Sequence, residues 1–391
     1  MRCREAAVWV VVGWLGVGTS LGSESVVKPV TPNASPEAVE LLKLIHSLSG
    51  KHTLTGQHNF PNTKDTYTQQ AAQSWGKMPA IYGQDMGFAK EGDKDSYLAR
   101  PDIVAECKRQ YALGSIVTIC WHAVPPTADE PVIFAQKRGG PAAQRPSEPA
   151  PVPQKLASVQ GKLTDEQFKD VLTPGTELYQ RWCAQVDAVA GFLKQLQEAR
   201  VPVLWRPYHE MNGDWFWWGG RRGEYSTARL YRQIFDRYVK HHKLNNLVWV
   251  WSVDRPERAD RQFADYYPGP EYFDVAALDV YGEFKQSYYD DLLKVAAGKP
   301  LALAEVGRPP TIEVLAQQPG WTWWMTWAGM GGRRGPEGPN PIQTLVNDPR
   351  SWSLSDPDYV KAITALRKAS GLPPVSPTQR TPPSAPAPST L

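Results

Sequence analysis

Short runs of apolar and β-branched residues alternate along this chain with longer stretches whose apolar positions recur at helical spacing. Eight of the short runs predict strands: HTLTGQH (52–58), AIYGQD (80–85), SIVTICWH (115–122), VPVLWRP (201–207), NLVWVWS (246–252), DVAALDVY (274–281), PLALAEV (300–306) and WTWWMTW (321–327). Each is largely apolar, as strands covered on both faces are. Helical patterns lie between most of them. SPEAVELLKLIHSLSG supplies Ser35 as an N-cap and Pro36 at the first helical position. The stretches 175–200 and 226–242 carry apolar residues at helical spacing. Eight strands alternating with helices predict the α/β class and, within it, a single (β/α)8 TIM barrel. No internal repeat points to a solenoid or propeller.

The ends and one internal stretch break this rhythm. Arg2 and Arg4 precede the apolar run AAVWVVVGWLGVG and then small polar residues. That run is too short to cross a bilayer and has the order of a secretory signal, expected to occupy residues 1–24. The barrel is expected over 36–370, with a Pro-rich loop at about 124–158 bordering the third strand. A disordered tail rich in Pro, Ser and Thr should fill 371–391. The mature protein is therefore expected to be secreted, extracellular or periplasmic, without stable membrane association, and monomeric.

Composition narrows the partners. A formal net charge of +3 in 391 residues gives no reason to expect nucleic acid. Sixteen tryptophans, many beside charged groups, suit a ligand with apolar faces and a polar rim, as sugars have. Beyond Cys3, the cysteines Cys107, Cys120 and Cys183 match no metal motif. They allow one disulfide, with Cys107 and Cys120 the nearer pair.

A parallel barrel gathers its chemistry at the C-terminal strand ends. The polar and aromatic residues fall there: Gln57 and His58, Asp85, Trp121 and His122, Arg206 to Glu210, Trp251 to Asp254, Asp279, Tyr281, Glu305, and Trp324 to Trp327. Two carboxylates stand out. Glu210 follows the fourth strand inside WRPYHEMNGDWFWWGG, and Glu305 ends the seventh. A lone Glu at a strand end is more often an ion-pair partner. Two that converge on one cavity supply what glycosidic hydrolysis needs, a proton donor and a second carboxylate across the sugar. Glu305, behind the apolar run LALA and within reach of a cation such as Arg206, reads as the nucleophile. Glu210, among large rings and facing a negative charge, reads as the acid/base, because burial and Glu305 should raise its pKa.

RPYHEMNGDWFWWG closely resembles the signature of glycoside hydrolase family 26, chiefly endo-β-1,4-mannanases. The likeness extends through 172–210, 230–252, 266–282 and LALAEVG (301–307), covering most of the chain from about 36 to 368. It implies a retaining endo-β-1,4-mannanase acting on β-mannan-type polysaccharide, with no cofactor and no metal. It also implies Glu210 as acid/base and Glu305 as nucleophile. His209 resembles the family's hydrogen-bonding histidine before the acid/base, and Trp215 the ring near the cleavage point. His122 resembles the strand-three histidine that contacts the sugar, and Tyr281 the tyrosine that orients the nucleophile. Trp327, rather than Trp324, resembles the platform under the sugar.

Other roles compete. His122 could be a satisfied core histidine. Of Asp279 and Tyr281, only one is expected to face the interior near the site. One or two of Trp215, Phe216, Trp217 and Trp218 should line the cleft while the others pack beneath it. Arg206 is expected to steer the nucleophile, whereas Gln57, His58, Asp85 and Asp254 read as structural. The residues AVPP after His122 and AG after Trp327 depart from the family pattern and place substrate grip in question. A β-glucanase or xylanase of the same fold, or a barrel that binds polysaccharide without cutting it, are the competing functions.

Overall fold

The computed structural model describes residues 27–87, 96–133, 157–331 and 341–375. The expected signal segment, residues 134–156 of the Pro-rich stretch and the tail beyond 375 lie outside them. The eight barrel strands are β1 (Thr53–His58), β2 (Ile81–Asp85), β3 (Ile116–Trp121), β4 (Val203–Pro207), β5 (Leu247–Asp254), β6 (Val275–Val280), β7 (Leu301–Val306) and β8 (Trp321–Thr326). Each pairs in parallel with its sequence neighbour, and β8 returns to β1 through Leu54 opposite Trp323, so the sheet closes. All eight expected strands are present with ends displaced by at most two residues. A short strand at Ser351–Trp352 adds to the start of β1, and Val132–Ile133 pairs with Ala157–Ser158 across the Pro-rich loop.

Helices cover the sheet as the pattern demands. Ser35 caps Pro36–Leu48, its Oγ accepting from the Ala38 backbone N–H at 3.3 Å. Glu177–Glu198 is a helix of 22 residues capped by Thr176. The third expected helix runs over Thr227–Asp236 and then widens into a π-turn at Arg237–His241. No helix among the described residues is long and apolar enough to cross a membrane.

Every barrel strand is buried along its length, yet its two faces meet different surroundings. Val203, Trp205, Trp249, Trp251, Leu301 and Leu303 join the layer between sheet and helices. Leu54, Ile81, Ile116, Leu204, Val248, Val250, Ala277 and Ala302 join a second cluster with the helices Pro36–Leu48 and Pro357–Ala369. That cluster fills the barrel interior and closes its lower end. Following the inward positions upward by twos, the apolar set gives way to His58, Asp85, Cys120, Arg206, Asp254 and Asp279 near the strand ends. The interior is tight: a side chain on Gly83 would come within 2.4 Å of Met325 Sδ.

On β7 the same alternation would turn Glu305 outward, since Ala302 and Ala304 face in. A register irregularity opposite Leu278 and Asp279 inserts one residue, and Asp279 then faces Glu305 directly. The bulge turns Glu305 inward, as bulges near active sites re-aim side chains.

The three cysteines among the described residues do not pair. Cys107 lies on the helix Arg100–Leu113 in the layer outside the sheet, whereas Cys120 points into the barrel beside Asp85 Oδ2 at 3.3 Å. The sheet itself separates them, which proximity in sequence could not reveal.

Candidate active site

Arg206 is the last inward residue of β4 and only 1% exposed. Its guanidinium donates to Asp279 Oδ2 at 2.7 Å and to Glu305 Oε2 at 2.8 Å, and Ser252 Oγ donates to Asp279 Oδ1 at 3.0 Å. Burial opposes the charge on Arg206, but Asp279 and Glu305 outweigh it and hold the guanidinium protonated. Burial raises the Asp279 pKa well above the usual range; Arg206 offsets part of this and Glu305 adds to it. Replacing Arg206 with Met would leave two carboxylates facing each other in a dry interior. The expected cost is about 3–5 kcal/mol, read as a lower midpoint of chemical denaturation.

The other oxygen of Glu305 accepts a short hydrogen bond from the Tyr281 hydroxyl. Tyr281 is 37% exposed as a whole, yet desolvation around its hydroxyl, with Glu305 and Glu210 nearby, pushes that hydroxyl well above the usual tyrosine range, so it remains a neutral donor. Asp279 and Tyr281 therefore both reach the site, against the expectation that only one would. Residues two apart on an extended chain share a face; Tyr281 bonds Glu305 directly, and Asp279 reaches it through Arg206.

Beyond β4 the backbone takes an uncommon path. Tyr208 and Glu210 have φ of 49° and 51°, in the left-handed region that side chains disfavour. Several contacts fix this turn. Gly213 N–H donates to Glu210 O at 2.9 Å, Trp218 Nε1 donates to His209 O at 2.9 Å, and Asn212 Nδ2 donates to Asp254 O at 2.7 Å. The result holds Glu210 at the barrel mouth, 7% exposed, with Trp215 Nε1 donating to its Oε2 at 2.5 Å. Burial raises the Glu210 pKa well above the usual carboxylate value, and the charges of Glu305, Asp279 and Asp254 raise it further. The Trp215 hydrogen bond acts the other way and loses.

Aromatic and imidazole rings line the remaining wall. His122 Nδ1 shares a short hydrogen bond with Asp85 Oδ2, and its ring meets His209 edge-on at 4.5 Å. Despite burial, His122 beside it and the hydrogen bond they share hold Asp85 down to about 2. Burial lowers His58 to about 3 and His209 well below its usual value, so both are neutral. His209 Nδ1 has no hydrogen-bond partner among the described residues; its ring instead packs on Phe216 and Trp218. Trp327 is half-buried and stacks one face on His58 at 3.8 Å, whereas Trp324 is fully buried against Trp75. Of the consecutive rings, Phe216, Trp217 and Trp218 pack beneath the loop and only Trp215 is partly exposed.

The structure thus brings Glu210, Glu305, Arg206, Tyr281, Trp215, His122, His209 and Trp327 to one end of the barrel. Two residues that read as structural or ambiguous prove central to its order. Asp85 holds His122, and Asp279 is the second partner of Arg206; both lie on the inward line of their strands, a signal already present in the period of two. Asn212, which ties the loop after β4 to that after β5, carried no such signal. Among the described residues, two groups place three possible metal ligands within 4.8 Å of one another, His58 with Asp85 and Cys120, and Asp187 with His241 and His242. In the first Asp85 is engaged by His122, and in the second Arg237 grips Asp187 at 2.8 and 2.5 Å.

A closed parallel barrel with two carboxylates among rings at its C-terminal mouth is the architecture of the barrel glycoside hydrolases. The chain belongs to glycosyl hydrolase family 26, whose family model matches residues 30–352. It is 30% identical over 314 residues to a mannan endo-1,4-beta-mannosidase of Thermothelomyces thermophilus, covering 76% of this chain and 56% of that protein. The chain thus spans little more than half the length of that relative. The structure of GH26A from Muricauda sp. MAR_2010_75 matches with a TM-score of 0.71 at 38% identity, over 83% of this chain and 98% of that one. A beta-mannanase from a symbiotic protist of the termite Reticulitermes speratus, complexed with gluco-manno-oligosaccharide, matches with a TM-score of 0.66 at 25% identity, covering 84% and 96%.

Proposed function

We propose that the chain is a secreted endo-β-1,4-mannanase that cleaves internal β-1,4-mannosidic bonds with retention of configuration. One observation carries the mechanism. Glu305 is gripped by Arg206 and Tyr281 while Glu210, by burial first and by the charge of Glu305 second, is pushed toward the protonated form. Protonated Glu210 gives its proton to the departing glycosidic oxygen as Glu305 attacks the anomeric carbon. The bond to the leaving sugar breaks and a covalent glycosyl ester forms. Esterification removes the charge on Glu305 that raised the Glu210 pKa. Glu210, now ionised, takes a proton from water, whose oxygen displaces Glu305 and restores both groups. Trp327, with one face on His58, offers the other to the sugar, and His122 and Trp215 border the cleavage point.

Mannan as substrate is supported by the names of the relatives, and export by the charged, then apolar, then small-residue order of the first 24 residues. The test is a panel of galactomannan, glucomannan, mixed-linkage glucan and xylan, followed by reducing ends and viscosity. Mannans should be cut at least about tenfold faster than the others, the scale of discrimination one sugar hydroxyl gives. Viscosity should fall before reducing ends accumulate. Faster cleavage of glucan or xylan would refute the mannan assignment.

A further inference from the structure

Arg261 lies outside the catalytic cluster, in the single helical turn Ala259–Arg261 after β5, yet it reaches the proton donor through one intermediary. We propose that Arg261 is a positioning residue that tunes Glu210 through the indole of Trp215. This rests on the reading of Glu210 as acid/base.

The guanidinium lies over the Trp215 ring, 5.0 Å from its centroid. Its side chain is 15% exposed, and one of its nitrogens donates to Asp214 Oδ1 at 2.8 Å. Its Nε is buried with no hydrogen-bond partner among the described residues. A guanidinium placed for hydrogen bonding alone would not leave that donor dry. One placed for an aromatic face leaves donors idle in this way. The backbone of Arg261 is equally fixed: its carbonyl accepts from Asn212 Nδ2 at 2.9 Å, and Asn212 Oδ1 accepts from Asp254 N–H at 2.7 Å. The loop that carries Glu210 and the loop that carries Arg261 therefore move as one piece.

A cation on the face of an indole draws electron density from it and makes the ring N–H a stronger donor. That N–H is the group bonded to Glu210 Oε2. A stronger donor favours the ionised carboxylate. Arg261 thus opposes burial and the charges facing Glu210, which are Glu305 from β7, Asp279 from β6 and Asp254 from β5, with Arg206 from β4 bound between the first two. The balance has a use. A donor whose pKa were left to burial and repulsion would serve the first half-reaction and stall in the second, where it must accept a proton.

Burial raises the Asp254 pKa and Arg255, with Arg261, offsets part of this, so a direct effect must be separated from one through the ring. The experiment uses the full-length enzyme as wild type, R261M, R261K, W215F and R261M/W215F. Two readouts are taken on each: the alkaline limb of kcat/KM on a mannooligosaccharide, and titration of the Glu210 carboxyl by carbon NMR, its signal identified by its loss in E210Q. R261M should move both upward by about half a pH unit, the scale of one exposed cation–aromatic contact. R261K should recover most of that shift, and R261M should add none in the W215F background. Unmoved values in R261M would overturn the inference, whatever happens to kcat, and so would an undiminished shift in the W215F background. A carboxyl that shifts while the kinetic limb stays fixed would demonstrate the relay and overturn Glu210 as proton donor.

Discussion

Glu305→Ala is expected to lower kcat on β-1,4-mannan by about ten-thousandfold or more while the barrel stays folded, the scale seen when a nucleophile is removed from a group that acts as a unit. Arg206 keeps Asp279 at 2.7 Å in such a variant, so the interior retains a neutral pair and stability should change little. The chemistry, by contrast, has no substitute, because Arg206 and Tyr281 both aim at the oxygens that are gone. Azide added to this variant should enter from the vacated face and give the α-configured glycosyl azide from an activated β-mannoside. Unchanged turnover would remove Glu305 from the reaction.

Glu210→Ala comes next in magnitude, a loss of about 10²–10⁴ on the polymer, the range one positioned proton donor contributes. The loss should shrink sharply on a mannoside with a dinitrophenyl leaving group, which departs without a proton. Azide should then rescue the stalled second step and give the β-configured product, opposite to that from the Glu305 variant. The pH profile follows from the same charges. Glu210 must be protonated to act, and its pKa is raised by burial and by Glu305, so activity persists to higher pH than an ordinary carboxyl allows and falls as pH rises through the raised value. Neutralising the nucleophile as Glu305→Gln should lower the Glu210 pKa, observable by direct titration of the carboxyl. An equal loss on both substrates would mean that Glu210 holds the loop and transfers no proton.

The barrel and the pair of glutamates were legible in the sequence because both follow from periods. Strands covered on both sides leave unbroken apolar runs, and a closed parallel sheet brings their ends together. Arg206 was readable as the cation for Glu305 for the same reason, since it ends an inward-facing line. What stayed hidden depends on local departures from those periods. The bulge that turns Glu305 inward has no mark in LALAEVG, and the positive φ at Tyr208 and Glu210 falls on residues that carry no glycine signal. The ring of His209 packs on Phe216 and Trp218, and the burial of its Nδ1 without a partner among the described residues could not be read from its place before Glu210. Arg261 could not be found from spacing at all. It lies 46 residues beyond Trp215 in a short turn, and the loop ties through Asn212 and the ion pair with Asp214 bring the two together.

The most direct test of the shared site is covalent trapping. A 2-deoxy-2-fluoro-β-mannosyl fluoride should glycosylate the native enzyme once with loss of fluoride, and peptide mapping of the labelled protein should place the sugar on Glu305. A label on Glu210, on Asp279 or on any other carboxylate would contradict the arrangement of nucleophile and proton donor described above.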